Sequence, residues 1–173
     1  MAELPHLVVV TGPPAAGKTS IAGALKLRLG LPVIAKDSLK EALGDGLQFA
    51  GAREASRRLG LGIFHVQFAV LHELLAAGVS VIAEGNFRHG EWFEALPPAR
   101  ITQLYVSASP EVLRERLLAR DTHRHPVHYD AEAADEIASR AAAGKWLPLP
   151  IGGGLIEIDT TIWPDLDEVF ATL

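Results

Sequence analysis

The sequence predicts an α/β fold, a parallel sheet with helices packed on both faces. Three observations carry that expectation. Five short apolar runs rich in Val and Ile alternate with helical patterns, as in strands joined by helical crossovers. The first junction holds Gly12-Pro13-Pro14-Ala15-Ala16-Gly17-Lys18-Thr19, a glycine-bounded loop between a strand and a helix. The 173 residues, 49% hydrophobic and 21% charged, suit one domain with a sizeable core and exclude extensive disorder.

The elements follow in order. His6 to Thr11 is a β-branched run expected as a buried strand. Residues 18–29 place Ile21, Leu25 and Leu29 at helical spacing, and Gly30 stops the helix. A second strand is expected over residues 32–35, ending at Lys36-Asp37-Ser38, with a short helix from Ser38 to about Leu43 stopped by Gly44-Asp45-Gly46. The next helix is expected over roughly residues 53–77. Gly60 and Gly62 weaken its start, which points to a beginning near Leu61. Its apolar residues form two adjacent stripes, so burial on most sides is expected. Gly78 ends it, and residues 79–83 form a third strand running into Glu84-Gly85-Asn86-Phe87. A fourth strand covers residues 101–106. Ser109-Pro110 then caps a helix that reaches about Arg120, with proline at its first position. The polar stretch 121–129 breaks the pattern, and Asp130 is expected to cap a helix ending at Gly144. A fifth strand over residues 155–159 and a closing helix over 165–172 complete the chain.

Chemistry concentrates first in the loop. Its pattern is fixed by what a phosphate demands: Gly12 and Gly17 let backbone approach an anion, N–H groups turn inward as a nest, and the following helix adds its positive end. Lys18 would reach the β- and γ-phosphates and the Thr19 hydroxyl would ligate Mg²⁺. Nucleotide contacts are thus expected from Gly12, Pro13, Pro14, Ala15, Ala16, Gly17, Lys18, Thr19 and Ser20. Open α/β sheets bind ligands at the carboxyl ends of their strands, where Asp37, Glu84, Asn86, Ser107 and Asp159-Thr160 are found. Asp37 is placed to take the proton of an attacking hydroxyl, a role compatible with capping the helix that it opens. Glu84 is placed to support the metal's water shell or to hydrogen-bond the acceptor.

A second dense signal runs from Arg114 to His125. Arg116 and Arg120 share a helical face and could neutralise charge on a transferred phosphoryl group. The alternative is a solvated helix salt-bridged to Glu111 and Glu115. His123, His125 and His128 lack the companions of a metal site and read as surface. Arg53, Arg57 and Arg58 could line an anionic pocket or simply form an exposed helix start. Phe49, Trp92 and Phe93 could stack on a substrate ring, but core or loop packing is the expectation.

With these residues in hand, the chain resembles the small P-loop kinases: the chloramphenicol phosphotransferase-like, zeta-toxin-like and polynucleotide kinase-like group, often described only as AAA-type ATP-binding proteins. The resemblance rests on Gly12–Thr19, residues 34–37, residues 83–87 and Arg116 through His125. It implies a P-loop NTPase fold of three αβα layers, with a five-stranded parallel sheet of order 2-3-1-4-5 and a small helical lid near residues 114–129. It also implies ATP and Mg²⁺ as cofactors and transfer of the γ-phosphoryl to a hydroxyl. Asp37 matches the family's base at the end of strand two. Arg120, with Arg116 or Arg124, matches its lid arginines, and Asp159-Thr160-Thr161 falls where the adenine passes. Glu84 stands where the family more often has aspartate.

The leading reading is an ATP-dependent kinase for a small metabolite, nucleoside or antibiotic. Two others stay open, a 5′-hydroxyl kinase for nucleic-acid ends and an ATP-dependent switch without turnover. A net charge of −5 counts against a long nucleic-acid footprint. The absence of cysteine excludes thiol chemistry and disulfides. Residues 1–5 lack a signal-peptide pattern and no apolar run approaches the roughly 20 residues of a bilayer span, so a cytoplasmic protein is expected.

Overall fold

The computed structural model describes residues 3–120 and 124–171. Strands β1 (His6–Thr11), β2 (Val33–Ala35), β3 (Val81–Glu84), β4 (Arg100–Ser107) and β5 (Gly154–Asp159) form one sheet of order β2-β3-β1-β4-β5. All four pairings are parallel, with Val10 opposite both Glu84 and Leu104. The helices are α1 (Lys18–Leu29), α2 (Lys36–Gly46), α3 (Arg53–Ala76), α4 (Glu91–Glu94), α5 (Pro110–Arg120), α6 (Asp130–Ala142) and α7 (Leu166–Phe170).

β1 is central and buried throughout, and its period-two alternation divides the core. Val8 and Val10 face α1, α5, α6 and α7 through Ile21, Leu25, Leu113, Leu117, Ile137 and Phe170. Leu7 and Val9 face the opposite layer, where Leu71 and Leu75 of α3 pack with Phe87, Phe93 and Leu149. The three layers and the strand order implied by the resemblance are therefore present.

Several boundaries differ from expectation. α2 starts at Lys36 with extended Ala35 as its cap residue, so Asp37 lies inside the first turn and its side chain caps nothing. β2 feeds the helix without an intervening loop, and an acid in the first turn suits the helix dipole. α2 also runs through Gly44, which is buried: a Cβ there would press on the Val127 side chain at 3.3 Å. α3 starts at Arg53, in line with the expected span of 53–77, and the later beginning near Leu61 does not occur. Tertiary packing overrides the propensity cost of Gly60, which is buried on the same face as Ser56, Ile63 and Gln67. That face is single: Val66 and Leu61 stay exposed, so burial on most sides does not occur. By length and composition α3 could cross a bilayer, contrary to the expectation that nothing approaches that length, but here its inner face is part of the core. Asp130 is the first residue of α6 rather than its cap, because its carboxylate bonds Arg124 instead. The short α4 has too few residues to show a period.

Candidate active site

The Gly12–Thr19 loop leaves the carboxyl end of β1 and turns into α1. Gly12 has φ 141°, and a Cβ there would be driven into the Val106 carbonyl. Gly17 has φ 92° and lies against the Trp163 ring, so both glycines are required by conformation and by space. Ala15, with φ 65°, is strained without glycine's freedom, as happens in ligand-binding loops. Lys18 is buried, and its ammonium donates to the Pro13 carbonyl at 2.7 Å. Burial lowers its pKa, opposed by Glu84 and Asp37. Pro14 is half-buried, Ala16 buried, and Thr19 and Ser20 exposed.

A brace from β5 and α5 holds this loop. The Thr160 hydroxyl lies 2.8 Å from the Ala16 carbonyl and 3.0 Å from that of Ser107, and the residue is fully buried. Arg116 donates to Thr160 Oγ1 at 3.0 Å, to its carbonyl at 2.6 Å and to the Ala15 carbonyl at 3.4 Å. Arg116 and Thr160 therefore fasten the loop from outside. Glu111 and Glu115 form no ion pair with Arg116 or Arg120 among the described residues, so the salt-bridged helix alternative does not describe them. Arg120 lines the cleft, half-buried, with no carboxylate within ion-pair reach among those residues.

The two carboxylates stand at the ends of β2 and β3. Gln67, fully buried on α3, donates from Nε2 to the Ile34 carbonyl at 2.8 Å and to the Glu84 carbonyl at 2.9 Å. One amide thus clamps the ends of the strands that lead to both acids. Glu84 is buried and accepts from the Thr19 hydroxyl at 3.3 Å. Burial raises its pKa, with Lys18 opposing. Asp37 lies 3.4 Å from Lys36 and 2.7 Å from Arg124. Burial alone would raise its pKa, but Lys36, His128, Arg124 and Lys18 outweigh that and hold the carboxyl well below the ordinary range.

Arg124 does not stand free above the loop. It pairs with Asp37, with Asp130 at 3.1 Å and with Glu41 at 3.5 Å. The segment from 124 to 129 is fastened to α2 and α3 by further bonds: His128 to Glu41 at 2.8 Å and His125 to Asp45 at 2.9 Å. Beneath them Lys40 donates to Ser56 Oγ at 2.6 Å and to the Val127 carbonyl at 3.0 Å. Those two histidines are carboxylate partners; His123 lies outside the described residues. Ser107 offers its backbone carbonyl, Asp159 accepts from the Thr161 N–H at 2.8 Å, and Asn86 lines the cleft with Oδ1 buried and unpartnered.

Lys18, Thr19, Asp37, Glu84, Asn86, Arg116, Arg120 and Arg124 line one cleft of about 920 Å³, whereas Ser107, Asp159 and Thr160 lie outside its lining. It extends from Gly17, Lys18 and Thr19 past Lys36, Asp37 and Glu84 to an aromatic wall of Phe64 and Trp92, whose rings lie 5.6 Å apart. Phe93 is core and Phe49 half-buried. Nine Lys and Arg against four carboxylates line it, a positive field in a chain of net charge −5. No cluster of three metal-ligating side chains occurs among the described residues. Thr19 and Glu84 nevertheless offer adjacent hard oxygens beside the phosphate loop, a donor set that fits Mg²⁺ completed by phosphate and water.

Gln67, Lys40, Ser56 and Trp163 were not visible as site residues in the sequence. Gln67 alone left a signal, an amide at a core position of an apolar helical stripe.

Over residues 7–143 the sequence matches a family model described as an AAA domain. No curated protein matches it. A candidate kinase from Chloroflexus aurantiacus J-10-fl is 35% identical, covers 98% of this chain and 97% of its own, and superimposes with a TM-score of 0.88. A sugar kinase from Janibacter sp. HTCC2649 (17% identity, 97% and 91% covered, TM-score 0.61) shares the fold. So does a gluconokinase from Sinorhizobium meliloti 1021 (19%, 98% and 90%, TM-score 0.53). A phosphate loop in this sheet order, matched over most of its length, places this chain in the AAA-domain family of small P-loop kinases.

Proposed function

We propose that the protein transfers the γ-phosphoryl group of ATP to a hydroxyl of a small molecule. The observation that carries this reading is one cleft lined both by residues of the phosphate loop and by Asp37, which follows the end of β2, two strands from β1. The loop N–H groups and Lys18 hold the phosphates, and Trp163 beside Gly17 offers a face for the adenine. Thr19 and Glu84 would hold Mg²⁺, which when bound neutralises phosphate charge. Asp37 accepts the hydrogen bond of the acceptor hydroxyl and orients its oxygen toward the γ-phosphorus. As the new O–P bond forms, that proton passes to Asp37 and ADP departs with the electrons of the broken bond. Because its neighbours make Asp37 weakly basic, orientation precedes proton transfer, which comes late. Arg120, at the end of α5, meets the charge on the phosphoryl oxygens.

A small acceptor is supported by the size of the cleft and by the sugar kinase and gluconokinase that share the fold. The test is ADP release measured across sugars, sugar acids, nucleosides and hydroxyl-bearing antibiotics. One class should accelerate it many-fold, and Lys18→Ala should abolish that acceleration while the protein stays folded. ADP release that no acceptor accelerates, or that Lys18→Ala leaves intact, contradicts the reading.

A further inference from the structure

A cluster of guanidinium groups beside the acceptor end of the cleft has no ion-pair partner among the described residues. Arg57 belongs to α3, Arg88 to the segment after β3, and Arg140 to the last turn of α6. The Arg88 and Arg140 guanidinium carbons lie 4.9 Å and 5.5 Å from the centre of the same Trp146 ring. Trp146 is itself held to the sheet, its carbonyl accepting from the Tyr105 hydroxyl at 2.7 Å. Among the described residues no carboxylate comes within 4 Å of any of the three arginines. Glu136 is near enough to influence Arg88 but is already paired with Arg53 at 3.0 Å. Arg140 Nε and Trp146 Nε1 are also buried without a hydrogen-bond partner. Every unsatisfied atom in this cluster is a donor, so what is missing is an acceptor.

Two of the three arginines also line a space of their own. A side cavity of about 280 Å³ is lined by Arg88, Arg140, Lys145 and Trp146 with no acidic residue. It shares Arg88 with the main cleft and none of the phosphate-loop residues, so an anion there is not a phosphate of the nucleotide. Three like charges held together repel, and an anion turns that repulsion into charge-assisted hydrogen bonds. The indole fixes two of the guanidinium groups by cation–π contact while leaving donors for a carboxylate or phosphate oxygen.

We propose that Arg88 and Arg140, both over the Trp146 ring, together with Arg57, which lines the main cleft with Arg88, bind an anionic group of the phosphoryl acceptor, so that the substrate is a hydroxyl-bearing carboxylate or phosphate monoester. The proposal rests on the kinase reading for the word acceptor, while the anion site stands on its own geometry.

The test uses the full chain saturated with Mg²⁺ and a non-hydrolysable ATP analogue, which fills the phosphate loop. Three six-carbon probes are then titrated calorimetrically: neutral glucitol, gluconate and glucitol 6-phosphate. At least one anion should bind saturably and glucitol should not; the tighter anion separates carboxylate from phosphate recognition. Arg88→Gln and, separately, Arg57→Gln should weaken that binding at least about tenfold, the loss expected for a charge-assisted hydrogen bond. Affinity for the ATP analogue should stay unchanged. Binding of neither anion, binding of glucitol as tight as that of the anions, or anion binding that both variants leave intact overturns the proposal. Anion binding that depends on Arg88, with no phosphoryl transfer to any hydroxyl, keeps the site and removes the kinase reading. Transfer to a neutral polyol at full rate in Arg88→Gln does the reverse.

Discussion

Asp37 sits among Lys36, Arg124 and Lys18, with the His128 imidazole beside it, and those cations decide how it can act. They keep the carboxylate ionised at any working pH, so its first task is to accept a hydrogen bond from the acceptor. Asp37→Asn preserves shape and removes the charge. Turnover should fall by roughly 10²–10⁴-fold, as for loss of a general base, while ATP-analogue affinity stays close to wild type. Near-normal transfer in that variant, measured with the acceptor in hand, contradicts the assignment. A collapse of Mg·ATP affinity would move Asp37 to the metal. Lys40 makes a different prediction. Burial, then the nearby Lys36, pushes its ammonium down from 10.5 to about 8, with Asp37 and Asp130 opposing. Between those values the unfolded chain keeps a proton that folded Lys40 has released, so stability rises with pH across the window. Denaturant midpoints from pH 7.5 to 10.5 should show that rise, and Lys40→Met should flatten it; Lys18, lowered in the same direction, leaves some slope. Equal slopes in both proteins count against a shifted Lys40. Asp37 and Glu84 were legible because strand ends beside a phosphate loop are where ligands bind. Lys40 and Gln67 were not, because their value lies in contacts with Ser56, Val127, Ile34 and Glu84, far apart in the chain.

At the scale of elements, the segment between α5 and α6 is the part the sequence describes least well. Its arginines and histidines suggested a surface lid, yet residues 124–129 are joined to α2 through Asp37, Glu41 and Asp45 and to α3 through Ser56. No local periodicity encodes that docking. It depends on buried Gly44 leaving room for Val127 and on α2 continuing past a glycine that normally stops a helix. Arg120 at the end of α5 has no carboxylate partner among the described residues and, unlike Arg116, is not committed to bracing the loop. Arg120→Ala should lower kcat by more than it raises the ATP dissociation constant, because the charge it meets is largest in the transition state. Steady-state kinetics beside direct ATP-analogue binding separate the two effects. A variant unchanged in both makes α5 only a brace for the loop, the part that Arg116 plays through Thr160.

Across the whole molecule, strand order does the assembling. Because β1 is central, its loop has the ends of β2 and β3 on one side, with Asp37 and Glu84, and β4 and β5 on the other, with Thr160 beyond. Alternating strand and helix patterns were enough to read the layers. The Gly-Lys-Thr loop was enough to find the phosphate end, since both follow from local chemistry. At the other end of the cleft the sequence raised Arg53, Arg57 and Trp92 but could not bring them together, because α3 and the segment from β3 to α4 meet there only through folding. The most direct test of the central claim is phosphorus-31 NMR of the wild-type protein with Mg·ATP and the acceptor class that accelerates ADP release. A phosphomonoester signal should grow in step with ADP, with little inorganic phosphate. ADP accompanied by inorganic phosphate alone would show that water, and no acceptor hydroxyl, receives the phosphoryl group, and would contradict the account.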